Sequence, residues 1–174
     1  MKGIIMSIKD YGWNEFFELE WKKHIKDGFL PGRIIADYGQ SVRVMTDDGE
    51  LLVKRPVTKL EEGMQMAVGD WLVLQYFQGS KTYQIQAVLP RQTKFSRVAA
   101  GIEVKEQIVA ANVDIVFLIQ SLNKDFNMRR LERYMITAWE SGARPVVVLT
   151  KADCCDNVKD KISIVYSTVP GVEV

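Results

Sequence analysis

Residues 145–155 read PVVVLTKADCC, an aliphatic run that stops abruptly at Thr150, Lys151 and Asp153. Val146 to Leu149 has the length and composition of a buried strand. Upstream of it, FNMRRLERYMITAWESGA places Met128, Leu131, Met135, Ala138 and Trp139 at helical spacing, with Asn127 as N-cap and Gly142 at C′. Before that helix, Val113 to Ile119 in IVAANVDIVFLIQS is nearly continuous in apolar residues, as expected of a strand covered on both faces of a parallel sheet. Strand, helix, strand is a crossover, expected to be right-handed with its strands parallel. Downstream, residues 156–168 read as another helix with Val158, Ile162 and Val165 inward and Asp156 near its N-cap. Pro170 and Gly171 end it, and VEV begins a third strand.

From Gly32 to Leu89 the period changes to two. RIIADYGQSVRVMTDDGELLVKRPV holds two hairpin joints, DYGQ and DDGE, and VGDWLVLQYFQGSKTYQIQAVLP holds another around Gly79 and Ser80. Val42, Val44, Leu72, Leu74, Ile85, Ala87 and Leu89 can share one face. Five short strands with no crossover helix predict a small closed barrel, an OB-fold first and an SH3-like barrel as the alternative. Ahead of it, WNEFFELEWKKHIK carries Trp13, Phe16, Phe17, Leu19 and Trp21 on one stripe, with acids early and lysines late, which suits a helix. After Pro90, RQTKFSRVAAGIEVKEQ sets Arg91, Lys94 and Arg97 around Phe95. Three cations beside an aromatic can grip phosphates and stack on a base. A solvated linker gives the same string and is the commoner outcome.

The composition of the 174 residues, 47% hydrophobic and 26% charged, is globular, and no apolar run is long enough to span a bilayer. The start lacks an extended signal-peptide core, which places the chain in the cytoplasm. A net charge of +1 gives no global field for nucleic acid, so any such surface is local. Cys154 and Cys155 are adjacent, poor geometry for a disulfide and no zinc spacing, and are read as reduced. His24 stands alone and is assigned no chemistry, and no catalytic or metal-ligating residue is assigned.

In open parallel sheets ligands sit beyond the carboxyl ends of strands, where Thr150 to Asp153 lies. A carboxylate there accepts two hydrogen bonds in its plane, and guanine offers N1–H and an amino group side by side, as adenine does not. The lysine stem can cover a purine face with its ammonium in water. This is the chemistry of the guanine-reading pattern Asn/Thr-Lys-x-Asp. A helix cap after a strand, with an exposed lysine, is the plain alternative. Asn123-Lys124-Asp125 imitates the pattern but lacks the intervening residue, so it reads as a loop with Asp125 as a cap. No phosphate loop of the form G-x-x-x-x-G-K-[ST] occurs in the 174 residues.

GRIIADYGQSVRVMTDDGE, AVGDWLVLQ, AVLPRQTKFSRVAAG, the long block from EQIVAANVD to LTKAD, and PGVEV together resemble the circularly permuted GTPases of the RsgA (YjeQ) type. The resemblance implies an OB domain followed by a P-loop-type GTPase domain whose guanine motif comes first, and then a C-terminal zinc domain. It divides the chain into a helical segment (1–28), an OB-fold RNA-binding domain (29–90), a basic linker (91–107) and the first part of the permuted GTPase domain (108–174). It implies GTP hydrolysis with Mg²⁺ in late assembly of the small ribosomal subunit, with rRNA and the subunit as partners, no membrane and a monomeric full-length protein. Thr150, Lys151 and Asp153 match the guanine motif, with Thr150 in place of the usual asparagine. The RNA-contacting face falls on Arg43, Lys54, Arg55 and Lys81. The phosphate loop, switches and Zn²⁺ ligands then lie beyond Val174, so the 174 residues alone are expected to be inactive and prone to self-association through uncovered apolar surface. A non-enzymatic OB module binding RNA or protein is the alternative.

Overall fold

The structure, a computed structural model, describes residues 6–56, 65–98 and 106–174. It divides into two compact units, Met1–Gln92 with Ser96–Asn112, and Thr93–Phe95 with Val113–Val174.

In the first unit, five strands form one antiparallel sheet in the order β3-β2-β1-β4-β5: β1 (Phe29–Asp37), β2 (Ser41–Thr46), β3 (Gly49–Lys54), β4 (Trp71–Phe77) and β5 (Thr82–Val88). β1 is shared between two partners. Its first half, Phe29 to Arg33, pairs with β4, and its second half, from Arg33 to Asp37, pairs with β2 across a bulge between Ile34 and Ala36. A strand that changes partners at a bulge bends the sheet, and residues of β3 and β5, the outer strands, come within 8 Å between Cα atoms.

The sheet buries both faces. On the inner face Ile34, Val42, Val44, Val53, Leu72, Leu74 and Ile85 form one cluster. On the other, Trp71, Val73 and Leu89 pack with Ile8 and with Phe17 of helix α1 (Glu15–Lys22), whose first turn is capped by Asn14 Oδ1. Ala87 and Leu89, expected on the inner face, lie with this second cluster. Val73 pairs with Ala87 but Leu74 pairs with Ile85, so Gln86 is an extra residue that inverts the alternation. Leu19, expected on the apolar stripe of α1, is exposed.

The stretch read as a linker is not featureless: Lys94–Val98 is strand β6 and Glu106–Ala111 is strand β7, forming a two-stranded sheet, while 99–105 lies outside the described residues. Within the first unit the end of β7 is held by Ala111 N donating to Val68 O at 2.9 Å.

In the second unit, β8 (Ile115–Ser121) and β9 (Arg144–Thr150) pair in parallel from Ile115↔Arg144 to Ser121↔Thr150, with α2 (Met128–Glu140) between them in sequence. α3 (Val158–Thr168) follows, and Glu173 makes a parallel bridge to Val146. Leu118, Leu131, Met135, Ala138, Val147, Val165, Val169 and Val172 form the core. Asn127 caps α2, accepting from Arg130 N at 3.0 Å, and Gly142 follows it at φ +82°. Trp139, expected inward, is exposed because the core takes Leu131, Met135 and Ala138, and the indole lies outside that stripe. β8 is covered on one face only among the described residues: Leu118 is buried, whereas Phe117 and Ile119 are 61% and 69% exposed. No helix among the described residues is long and apolar enough to cross a membrane.

Gly69 tests the closure of the first unit. It sits at φ +94°, and a Cβ there would lie 1.9 Å from Ala111 O. Gly69→Ala combines a disfavoured backbone with a backbone clash and should cost about 2 kcal/mol or more. Urea unfolding checks this, and an unchanged midpoint would mean that the chain beside Ala111 is not held as described.

Candidate guanine-binding site

β9 ends at Thr150, whose carbonyl accepts from Leu122 N at 2.9 Å, so the loops after β8 and β9 leave the sheet side by side at its carboxyl edge. Lys151 then adopts the left-handed region, φ +58° and ψ +41°. A lysine gains nothing intrinsic there, and such strain concentrates at functional turns. It reverses the chain into a short 3-10 turn, Ala152–Cys154, closed by Cys154 N to Lys151 O at 3.0 Å. The turn presents Lys151 and Asp153 as exposed side chains, with Thr150 half-buried behind them.

Cys154 Sγ donates to Asp153 Oδ2 at 3.3 Å. That hydrogen bond, and then the carboxylate's charge, pushes the Cys154 thiol above its ordinary value. In the neighbouring loop Asp125 takes a fork from Arg130, Nη1 to Oδ1 at 3.0 Å and Nη2 to Oδ2 at 2.9 Å. The bond to Arg130 foremost, then its charge, with a smaller contribution from Lys151, holds the Asp125 carboxyl below its usual range. Asp125, read as a helix cap, is therefore committed to Arg130, while Asn123 Oδ1 accepts from Asp125 N at 3.0 Å.

The candidate RNA-binding cations fall in several places. Arg43, on β2, lies over the Tyr38 ring at 5.5 Å and 3.6 Å from the Glu50 carboxylate. Lys54 ends β3 opposite Ser41, and Arg55 donates to Asp37 Oδ2 at 2.5 Å. Lys54 and Arg55 stand at one end of the β2–β3 ladder, whereas Arg43, opposite Leu52, lies mid-strand with Tyr38 beside it. Lys81 is exposed in the β4–β5 turn at φ +52°. Arg97 Nε donates to Gln107 Oε1 at 3.0 Å, and Lys94 opens β6, its N–H bonded to Ser141 O.

Arg91 has a structural partner. Its guanidinium forks onto Asp70, Nε to Oδ1 at 2.6 Å and Nη2 to Oδ2 at 2.7 Å, and also donates to Gln65 O. Asp70 is fully buried and also accepts from Ala67 N. The bond to Asp70 raises the Arg91 guanidinium above its ordinary value against the opposing effect of burial. A string of cations in the sequence gave no sign of this, because Asp70 lies 21 residues away. Tyr38 and Cys154 were missed for another reason: their contacts, to Arg43 and Asp153, depend on how the local turn orients the side chains.

Asp153, the left-handed Lys151 and an exposed turn beyond a parallel strand make up the candidate site. Among the described residues no group of three or more His, Cys, Asp or Glu side chains is placed to hold a metal.

The fold matches about half of each of two solved structures. YjeQ from Thermotoga maritima superposes with a TM-score of 0.63 at 19% identity, over 81% of this chain and 49% of that one. YloQ, described as a circularly permuted GTPase, gives 0.60 at 18% identity, over 87% and 52%. Residues 88–173 match the RsgA GTPase family, to which the chain belongs. Relatives named small ribosomal subunit biogenesis GTPase RsgA are 37% identical in Vibrio parahaemolyticus, over 94% of this chain and 43% of the relative, and 41% identical in Listeria innocua, over 88% and 42%. One from Lactiplantibacillus plantarum is 39% identical over 97% and 48%. The chain thus spans less than half the length of these curated relatives.

Two measurements check the site geometry. Arg91→Ala strands the buried Asp70 carboxylate and should cost about 3–5 kcal/mol in urea unfolding, whereas loss of a solvent-facing phosphate contact would cost under about 0.5 kcal/mol. Asp153→Asn removes the negative charge, and with it the charge-assisted bond, that raise the Cys154 thiol, so more thiolate forms at pH 8 and iodoacetamide should label Cys154 faster. An unchanged rate would deny the thiol–carboxylate contact.

Proposed function

We propose that these residues form the rRNA-facing and base-reading portion of a cytoplasmic GTPase that acts in late assembly of the small ribosomal subunit. The observation that carries this is the Thr150-Lys151-Ala152-Asp153 turn, standing at the carboxyl end of β9 within the segment that matches the RsgA GTPase family. Asp153 takes guanine N1–H and the amino group on its two oxygens, Lys151 covers the purine face with its stem, and Thr150 supplies one hydrogen bond where an asparagine would supply a paired donor and acceptor.

The five-stranded unit is read as an OB-fold within 29–90, after a helical segment at 1–28. The order β3-β2-β1-β4-β5, with its outer strands approaching each other, supports that reading. OB-folds use the face of strands two and three and the loops beside it, the region of Arg43, with Tyr38 beside it, and of Lys54 and Arg55. Lys81, Arg91 and Arg97 are further proposed rRNA contacts of this unit, Arg91 being also bonded to Asp70, and Lys94 is a separate proposed contact in the second unit. Residues 108–174 are the base-reading part of the permuted GTPase domain.

When bound, Mg²⁺ would neutralise phosphate charge during transfer. No residue of these 174 is assigned to it, and among the described residues no group of three or more His, Cys, Asp or Glu side chains is placed to hold a metal such as zinc. These 174 residues by themselves are expected to bind GTP weakly and hydrolyse none, and the full-length protein is expected to be a monomer that works on the subunit.

The test is nucleotide selectivity in the full-length product of the reading frame containing these residues. Asp153→Asn forfeits two charge-assisted hydrogen bonds and should weaken GDP binding by about 100-fold, while xanthosine diphosphate, which offers an acceptor in place of the amino group, gains. Unchanged GDP affinity in Asp153→Asn would reject the guanine reading and favour a non-enzymatic RNA-binding module.

A further inference from the structure

The side chain that touches Asp153 in the structure is the thiol of the next residue. Cys154 closes the 3-10 turn through its backbone, N to Lys151 O at 3.0 Å, and places Sγ 3.3 Å from Asp153 Oδ2. The carboxylate that is proposed to read the base is exposed and lies on a short turn, where free rotation about its χ angles would spoil a two-pronged contact. A donor on one oxygen limits that rotation. Each carboxylate oxygen has capacity for a second hydrogen bond, so Oδ2 can keep the thiol and still receive an N–H from a ligand.

We infer that Cys154 is a positioning residue for guanine recognition, its S–H holding the Asp153 carboxylate in the orientation that accepts both guanine donors. This rests on the guanine reading proposed above. The elevated position of the thiol's ionisation keeps it a donor at neutral pH, as the role requires. Alkylation or oxidation of the exposed sulfur removes that donor, so the same atom is a point at which thiol chemistry would lower base selectivity. Cys155, half-buried, bonds through its N–H to Ala152 O and makes no such contact.

The experiment compares Cys154→Ala and Cys154→Ser with the wild type in the full-length protein, reading the ratio of affinities for GDP and inosine diphosphate. Inosine keeps N1–H but lacks the amino group, so the ratio reports whether both oxygens of Asp153 are aligned. Cys154→Ala is expected to lower that ratio by about 3- to 10-fold, the worth of one modest hydrogen bond. Cys154→Ser, which keeps a donor, should restore most of it. A merely structural thiol would leave the ratio unchanged and alter only thermal stability, read in parallel. An unchanged ratio in Cys154→Ala, alongside a wild-type protein that prefers GDP and loses that preference in Asp153→Asn, overturns the inference and leaves the guanine reading standing. Equal loss in both cysteine variants also overturns it, since it shows a role for sulfur's bulk rather than its proton. A wild-type protein indifferent to Asp153→Asn removes the guanine reading and this inference with it.

Discussion

The first unit depends on one guanidinium. Arg33 lies at the point where β1 passes from β4 to β2, paired with Trp71 on one side and Met45 on the other. Its side chain donates to Gly69 O at 3.2 Å, to Asn112 O at 2.6 Å and to Tyr11 O, and its charge lies over the Trp71 ring at 5.6 Å. Those carbonyls belong to the residues before β4, after β7 and before α1. Three chain ends that have no regular ladder to finish their hydrogen bonding are thus satisfied by a single planar group with five donors. Asn112 adds to the junction from its own side, donating to Gly69 O and accepting from Gln92 N.

The second unit is organised by its parallel pair. Because β8 and β9 run in register from Ile115 to Thr150, their following loops emerge together, and Lys151 can influence Asp125 across the gap. The left-handed turn at Lys151 follows from the same geometry: the chain leaves β9 and must reverse within a few residues to enter α3. The strained residue and the candidate base-reading residue are therefore parts of one local solution. Cys154 joins them through a contact to its neighbour, not through packing.

Much of this was legible in the sequence. α2 announced itself through Leu131, Met135 and Ala138 at helical spacing and through caps at Asn127 and Gly142, all of which are local chemistry. β8 and β9 showed as apolar runs, and the Thr150–Asp153 pattern stood out because it followed a strand. What the sequence left unread is decided by distant residues. Arg91 is held by Asp70, Arg33 by carbonyls from three other segments, and β6 by pairing with a partner that periodicity alone does not reveal. Trp139 and Phe117 look like core residues by composition, but which apolar residues are covered is set by neighbours. Ala87 and Leu89 were assigned to the inner face by counting in twos, and Gln86 broke the count.

That extra residue has a further consequence for how β5 can change over evolutionary time. A strand with one bulge carries a parity: residues before Gln86 and those after it keep opposite face assignments only while the number between turn and bulge is preserved. Deleting Gln86 would make Ile85 and Ala87 consecutive, still opposite Leu74 and Val73 and still on opposite faces, so Leu89 would keep its bond to the Trp71 carbonyl, now 2.8 Å. Loss of the bulged residue is therefore the one single deletion that keeps the frame, whereas a single deletion between the turn and the bulge, with Gln86 kept, would flip the residues on that side to the other face.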